Sequence, residues 1–173
     1  MTKSTNRMGE SAAGFTLLEV LVAVMVLSIG LLGLASLQVN GLRFNHSAYM
    51  RTQATLLAEE IADRMRANRP SLASYSGTNL AVAAVAACNT AAGCTSAEMA
   101  QNDLAQWQQS LAGLLPNGQG LVCFDTVTTP PTAAELNSTP AAPSCDGGGT
   151  YAIKIWWDDN RDGVVEQRFV VTL

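Results

Sequence analysis

The chain has 173 residues, of which 48% are hydrophobic and only 14% are charged, so it suits one globular domain and argues against long-range disorder. Its net charge of −4 argues against a nucleic-acid-binding protein, which needs a basic face to displace counterions. The only histidine is His46, and no nucleophile–base pair or glycine-rich phosphate loop accompanies it, so the sequence points away from an enzyme and from any cofactor.

Residues 15–37 form an apolar run whose only ionisable side chain is Glu19. As a helix, this run would be about 35 Å long, which is enough to cross the roughly 30 Å hydrocarbon core of a bilayer. Two basic residues precede the run, and positive charge there favours keeping that end in the cytoplasm. We therefore expect a single-pass protein with residues 38–173 outside the cytoplasm. Cleavage as an ordinary secretory signal is disfavoured because the run is too long.

The run begins with the sequence GFTLLE, from Gly14 to Glu19. This motif resembles the type III leader of type IV prepilins and pseudopilins, in which a membrane peptidase cuts after the glycine and methylates the new N-terminal residue. The resemblance implies that Gly14 precedes the cut, that Phe15 becomes the methylated N-terminus, and that Glu19 is the fifth mature residue. The wider stretch, with IADRMRANRP at 61–70, looks most like the PilV-type minor pilins.

A carboxylate at the middle of a membrane helix costs about 2.5–3.5 kcal/mol, and less near its end, so such a residue usually has a partner and a function. After cleavage at Gly14, the amine of Phe15 would lie four residues from Glu19 on the same helical face. The two charges could pair within one chain or between chains, and the resemblance implies pairing between adjacent subunits of a filament. The alternative is that Glu19 reaches the lipid headgroups.

The helical pattern continues over residues 38–68 and predicts an apolar stripe that needs a covering domain. The predicted stripe is Leu42, Tyr49 and Leu56 at heptad spacing, then Leu57, Ile61 and Met65 at four-residue spacing. Pro70 ends the helix. The predicted segments are a leader at 1–14, a transmembrane and assembly helix at 15–37, its amphipathic continuation at 38–69, and an extracytoplasmic head domain at 70–173.

The head domain is predicted to contain a short apolar helix at 80–87 and a second helix introduced by the capping-box spacing of Thr95 and Glu98. Strands are predicted at 121–127, 151–157 and 164–172, and a Pro/Thr/Ala/Gly-rich segment between the first two is expected to be an exposed loop.

Trp156 and Trp157 alternate along their strand, so one should be core and the other is a candidate contact residue. The predicted fold class is α+β and type IV pilin-like, with a long N-terminal helix packed on a small antiparallel sheet with a side helix.

Four cysteines lie in the predicted extracytoplasmic part, and four cysteines allow three pairings. We favour Cys88–Cys94, which closes a small loop, and Cys123–Cys145, which fastens the proline-rich loop to its strand. The second pair resembles the disulfide-closed loop near the C-terminus of many pilins. Zinc binding is disfavoured because no C-x-x-C pair occurs, and free catalytic thiols are disfavoured in an oxidising compartment.

Asp158, Asn160, Asp162 and Gly163 match the opening of an EF-hand calcium loop. The match fails further on, because Phe169 stands where the loop requires a bidentate glutamate. In a β-hairpin such residues are more often turn formers. Turn formation is therefore the favoured interpretation, and calcium binding is the alternative.

The resemblance implies a structural subunit, a minor pilin that acts in assembly or initiation of a type IV pilus with other minor and major pilins. Its implied partners are the prepilin peptidase and the inner-membrane assembly platform, with an adhesin as a further candidate. The implied location is the bacterial inner membrane and then the pilus filament or its tip. Two alternatives stay open, a minor pseudopilin of type II secretion and a membrane-tethered binding or adhesion module, of which the tether needs no processing at Gly14.

Overall fold

The computed structural model describes residues 16–77, 80–126, 132–165 and 167–173. Its helices are α1 (Leu17–Ala67), α2 (Ser96–Leu114) and the short α3 (Ala133–Leu136). Its strands are β1 (Gln119–Asp125), β2 (Thr150–Trp157) and β3 (Gln167–Thr172), which form one antiparallel sheet in the order β1–β2–β3. Two 3₁₀ segments, Arg69–Tyr75 and Ala86–Asn89, lie between α1 and α2. The α+β architecture predicted from the sequence is confirmed.

The chain divides into two compact units, Met1–Phe44 and Asn45–Leu173. In the described part of the first unit, every residue is exposed, including Leu18 at 74% and Leu32 at 72%. Exposure of so many adjacent apolar side chains is costly in water, so this stretch needs lipid or other helices around it. By length and composition, α1 can cross a membrane.

In the second unit, α1 buries a face that differs from the predicted stripe. Tyr49 and Leu56 are more than half exposed, and Leu42 in the first unit is 69% exposed, so the heptad part of the prediction is wrong. The buried face combines large residues with alanines: Met50, Ala54, Leu57, Ala58, Ile61, Ala62 and Met65. The large side chains alone suggested a heptad, whereas the alanines reveal the 3.6-residue period of an ordinary helix.

Both faces of the sheet are covered. Ile153, Ile155 and Trp157 of β2 face the main core with α1 and α2. Trp156 points to the other face, where it forms a smaller buried cluster with Leu121 and Cys123. Each tryptophan is only 1% exposed, so the prediction that one of them is a surface contact residue is wrong. The second face is covered because the segment after β1 folds back over it.

The predicted helix at 80–87 is absent from the described residues, since 81–85 have no regular structure and only Ala86–Asn89 form a 3₁₀ turn. Side-chain amides of α2 bond to the backbone of this segment instead. Gln108 accepts the N–H of Val82 at 3.2 Å, and Asn102 accepts the N–H of Val85 at 3.2 Å. These tertiary hydrogen bonds replace the bonds that an isolated helix of alanine and valine would make.

The strand bounds shift slightly from the predicted ones. β1 begins at Gln119, and residues 127–131 lie outside the described residues. β3 begins at Gln167, and Val164 and Val165 precede it without strand pairing.

Trp107 joins α2 to α1, because its indole Nε1 donates to the carbonyl oxygen of Leu57 at 2.8 Å. A buried indole N–H requires such an acceptor.

Candidate functional site

The predicted cleavage and methylation residues, Gly14 and Phe15, lie outside the described residues, and the description begins at Thr16. The hydroxyl oxygen of Thr16 accepts the backbone N–H of Glu19 at 3.2 Å, and its carbonyl oxygen accepts the N–H of Val20 at 3.3 Å. Thr16 is therefore the N-cap of α1, since its side chain satisfies one of the N–H groups that a helix leaves unpaired at its start.

Glu19 lies in the first turn of α1 and is exposed. Its neighbours along the helix are apolar and also exposed, among them Leu18 and Val22. At the start of a helix, a carboxylate is stabilised by the positive end of the macrodipole. Among the residues that the structure describes, no side chain or backbone group pairs with this carboxylate. The arrangement presents one negative charge at the end of an apolar rod, where it can attract a cationic group.

The second unit contains two disulfides, which join the same pairs that the sequence analysis favours. Cys88 and Cys94 are separated by six residues in the chain, and their Cα atoms lie 4.8 Å apart. Cys123 and Cys145 have Cα atoms 6.1 Å apart and fasten β1 to the segment before β2. Both Cα separations lie within the usual range for disulfides.

Residues 132–148, in the described part of the Pro/Thr/Ala/Gly-rich segment, form a covering loop. It is not simply an exposed loop, as predicted, because it lies over the second face of the sheet. Trp156 Nε1 donates to the carbonyl oxygen of Ser138 at 3.0 Å, and Gly147 N–H donates to the carbonyl oxygen of Phe124 at 3.1 Å. The Cys123–Cys145 disulfide adds a covalent attachment.

Lys154 is the most deeply buried charged residue under the covering loop, at 0% exposure. Its ammonium lies 2.5 Å from Oδ2 of Asp125 and donates to the carbonyl oxygens of Pro143 at 2.8 Å and Ser144 at 3.2 Å. The ammonium thus has one ion-pair partner and two hydrogen-bond acceptors. This pairing is what makes a buried charge tolerable.

A second polar network joins α1, the first 3₁₀ segment and α2. Tyr75 donates its hydroxyl to Oδ2 of Asp103 at 2.5 Å, and Arg64 donates to Oδ1 of the same carboxylate at 3.0 Å. Arg64 also pairs with Glu60 at 2.7 Å. Burial, together with the hydrogen bond to Asp103, raises the pKa of Tyr75 to about 12. These bonds fasten α1, the first 3₁₀ segment and α2 to one another, which is a structural role.

The structure brings the weak calcium candidates together as a turn. Asp158 is buried, and its carboxylate accepts the N–H groups of Arg161 at 2.7 Å and Gly163 at 2.9 Å. Asn160 and Asp162 likewise accept backbone N–H groups two residues further on. Their oxygens serve the loop backbone, as turn-forming side chains do. Within the described ranges, no group of three or more acidic, histidine or cysteine side chains is arranged to hold a metal ion.

Sequence reasoning did not find the N-cap Thr16, the Lys154–Asp125 pair or the Tyr75–Asp103 bond. A signal for the Lys154–Asp125 pair was present, because Lys154 interrupts the apolar strand β2 and Asp125 ends the apolar stretch of β1. Such interruptions mark either a solvent face or a buried ion pair, and only the packing of the covering loop decides between them. A signal for the N-cap Thr16 was also present, as the Thr-x-x-Glu spacing at 16–19.

Comparison with known families gives two matches. Residues 36–105 match the family described as type IV pilin Tt1218, and residues 11–35 match the prokaryotic N-terminal methylation motif. No curated protein gave a significant match, and neither did any solved structure. The two matches adjoin, and each covers less than half of the 173 residues. The chain is therefore type IV prepilin-like: it is similar to type IV pilins over 36–105 and matches the N-terminal methylation motif at the start of its long apolar helix.

Proposed function

We propose that the protein is a minor pilin of a type IV pilus, most like the PilV type, and that it acts in pilus assembly or initiation. The observation that carries the proposal is the first part of α1. It is apolar and exposed all round, it carries one carboxylate, and it lies within the match to the methylation motif apart from its last residues. A helix of this kind is unsuited to water and suited both to lipid and to a bundle of similar helices.

In this proposal a prepilin peptidase cuts after Gly14 and methylates Phe15. The cut removes the leader at 1–14 and creates an amine at the end of an apolar helix. Residues 15–37 then hold the subunit in the inner membrane, and residues 38–69 continue the helix into a head domain at 70–173 on the extracytoplasmic side.

The new amine of Phe15 gives the Glu19 carboxylate a partner. In a filament, the ammonium of one subunit pairs with the carboxylate of the next, and the pair is worth more in an apolar setting than in water. Each subunit offers one charge of each sign, so the pairing can repeat along the filament. The carboxylate is costly in the membrane helix. In the filament, the same carboxylate fixes the position of each helix against its neighbour.

The proposed partners are the other minor and major pilins, the peptidase and the inner-membrane assembly platform. The two disulfides and the covered sheet give the head a rigid surface for such contacts and for an adhesin. A minor pseudopilin of type II secretion would use the same features of α1. The secretion and pilus roles are therefore separated by genetics: a pilin enters sheared filaments in cells that lack type II secretion.

The test is Glu19→Gln, compared with Glu59→Gln as a matched control on the exposed face of α1 in the second unit. Each variant is produced in piliated cells, and the processed subunit is measured in sheared filaments and in membranes. Glu19→Gln should be processed and reach the membrane, because removing a charge lowers the cost of insertion. Its abundance in filaments should fall about tenfold or more, since hydrogen bonds to charged groups contribute about 1.5–3 kcal/mol.

Glu59→Gln should enter filaments as the wild type does. Glu19→Gln at wild-type abundance in filaments would contradict the proposed assembly contact. A chain that keeps its leader and stays in the membrane, whatever residue stands at position 19, would support the tethered binding module instead.

A further inference from the structure

Three helices of this chain begin with the same pattern, Thr-x-x-Glu, starting at Thr16, Thr95 and Thr132. In α2 the hydroxyl of Thr95 accepts the N–H of Glu98 at 3.3 Å, and the Glu98 carboxylate accepts the N–H of Thr95 at 2.8 Å. In α3, Thr132 and Glu135 form the same reciprocal pair. These two are complete capping boxes, in which the glutamate carboxylate accepts the backbone N–H of the N-cap residue of its own helix.

The start of α1 has the threonine half of this arrangement. Thr16 accepts the N–H of Glu19 at 3.2 Å and so caps the helix by itself. The Glu19 carboxylate has no hydrogen-bond or ion-pair partner within the described residues, whereas Glu98 closes back onto Thr95. The same four-residue pattern therefore holds its glutamate in the head helices and leaves it available at the start of α1.

We propose that Thr16 is a positioning residue for Glu19. Its hydroxyl fixes the start of α1 at Leu17 without help from the glutamate, so the Glu19 carboxylate stays in the first turn and remains available to the ammonium of a neighbouring subunit. This inference rests on the proposed function, because it assigns Thr16 a part in the same assembly contact.

Loss of the hydroxyl acts on that contact in two ways. The first turn loses an acceptor for the N–H of Glu19, so the turn frays and the carboxylate is no longer held in one place. The carboxylate of Glu19 also becomes the nearest acceptor for the unpaired N–H groups of its own helix. Both effects lower the fraction of subunits whose carboxylate can meet a neighbour.

The experiment compares Thr16→Val, which keeps the branched shape and removes the acceptor, with Thr16→Ser, which keeps the acceptor. Thr52→Val is the matched control, since the Thr52 hydroxyl bonds to the Ala48 carbonyl oxygen at 3.0 Å in the middle of α1. Glu19→Gln is measured in parallel. The quantity compared is the fraction of processed full-length subunit recovered in sheared filaments.

Thr16→Val should lower this fraction about fivefold, the factor that corresponds to loss of a typical cap. Thr16→Ser and Thr52→Val should match the wild type. Wild-type incorporation of Thr16→Val, or an equal loss in Thr16→Ser, would overturn the positioning role while leaving the proposed function intact. Failure of Thr16→Val to be processed would also overturn it, because Thr16 would then act at cleavage. Wild-type incorporation of Glu19→Gln would instead reject the Glu19 assembly contact on which this inference rests, and absence of the wild-type subunit from sheared filaments would reject the proposed function.

Discussion

The ammonium of Lys154 lies 2.5 Å from Oδ2 of Asp125, and the two side chains are 0% and 3% exposed. β2 and β1 carry them on the sheet face that the covering loop encloses. The same ammonium bonds to two carbonyl oxygens of the loop, at Pro143 and Ser144. The ion pair therefore attaches the covering loop to the sheet independently of the nearby disulfide, and the loop cannot open without exposing or stranding a charge.

Lys154→Met should strongly destabilise the head. The substitution leaves the Asp125 carboxylate buried without its cation, and breaking a buried pair in this way costs about 3–5 kcal/mol. The measurement is urea unfolding of the detergent-solubilised chain, followed by the fluorescence of its three tryptophans, which are all buried. The double variant Lys154→Met/Asp125→Leu should recover much of the loss, because neither buried charge remains. A Lys154→Met chain as stable as the wild type would show that the pair contributes nothing.

The two disulfides should differ in their contribution to stability. Cys123 and Cys145 are separated by 22 residues, whereas Cys88 and Cys94 are separated by six. A longer closed loop restricts the unfolded chain more, so replacing the first pair by alanines should cost about 1 kcal/mol more than replacing the second. Urea unfolding of both double variants checks the order.

Peptide mapping without reductant should recover these two pairs, and a Cys94–Cys123 peptide would contradict the connectivity.

Gly120→Ala should destabilise the core, because a Cβ atom at that position would lie 2.5 Å from the ring of Trp107 and 2.7 Å from Leu111. Both partners are themselves fully buried, so the ring or the strand must shift, and overpacking of this kind costs about 1–3 kcal/mol. Gly113→Ala is the control. It lies within α2, a Cβ there meets nothing within 4 Å, and the change should stabilise the helix by about 0.5–1 kcal/mol. Equal effects of the two substitutions would contradict the packing of Trp107 against β1.

Stability should fall at high pH in a way that depends on Tyr75. Burial raises the pKa of Tyr75 from 10.0 to about 12. A group whose pKa is higher in the folded state contributes stability that is complete below its unfolded pKa and is lost as the pH rises through the folded one. The loss should therefore develop between about pH 10 and pH 12. Unfolding midpoints of the wild type and Tyr75→Phe across this range should converge as the pH rises, and parallel curves would show that Tyr75 does not titrate in this window.

The local and periodic features of the fold could be predicted from the sequence. The apolar length of α1, the Thr95–Glu98 cap of α2 and the alternation of β2 each depend on residues close together in the chain. The exposed Leu56 and the non-helical 81–85 segment could not be predicted, because alanine packing and the amides of α2 decide them.

The candidate site could also be predicted from the sequence only in part. Glu19 stands out in the sequence because a carboxylate is costly in an apolar helix. Only the structure shows that the Thr16 hydroxyl accepts the N–H of Glu19 and that the carboxylate of Glu19 has no partner among the described residues. Trp156 was expected to be either core or surface, and its burial depends on a loop whose composition is typical of exposed segments.

The mature N-terminus shows most directly whether this chain is a prepilin processed after Gly14. Protein recovered from membranes and from sheared filaments is digested, and its N-terminal peptide is sequenced by mass spectrometry. We expect a chain that begins at Phe15 with one methyl group on its amine. A chain that retains Met1, or one that begins at Ser36 after ordinary signal cleavage, would contradict processing after Gly14.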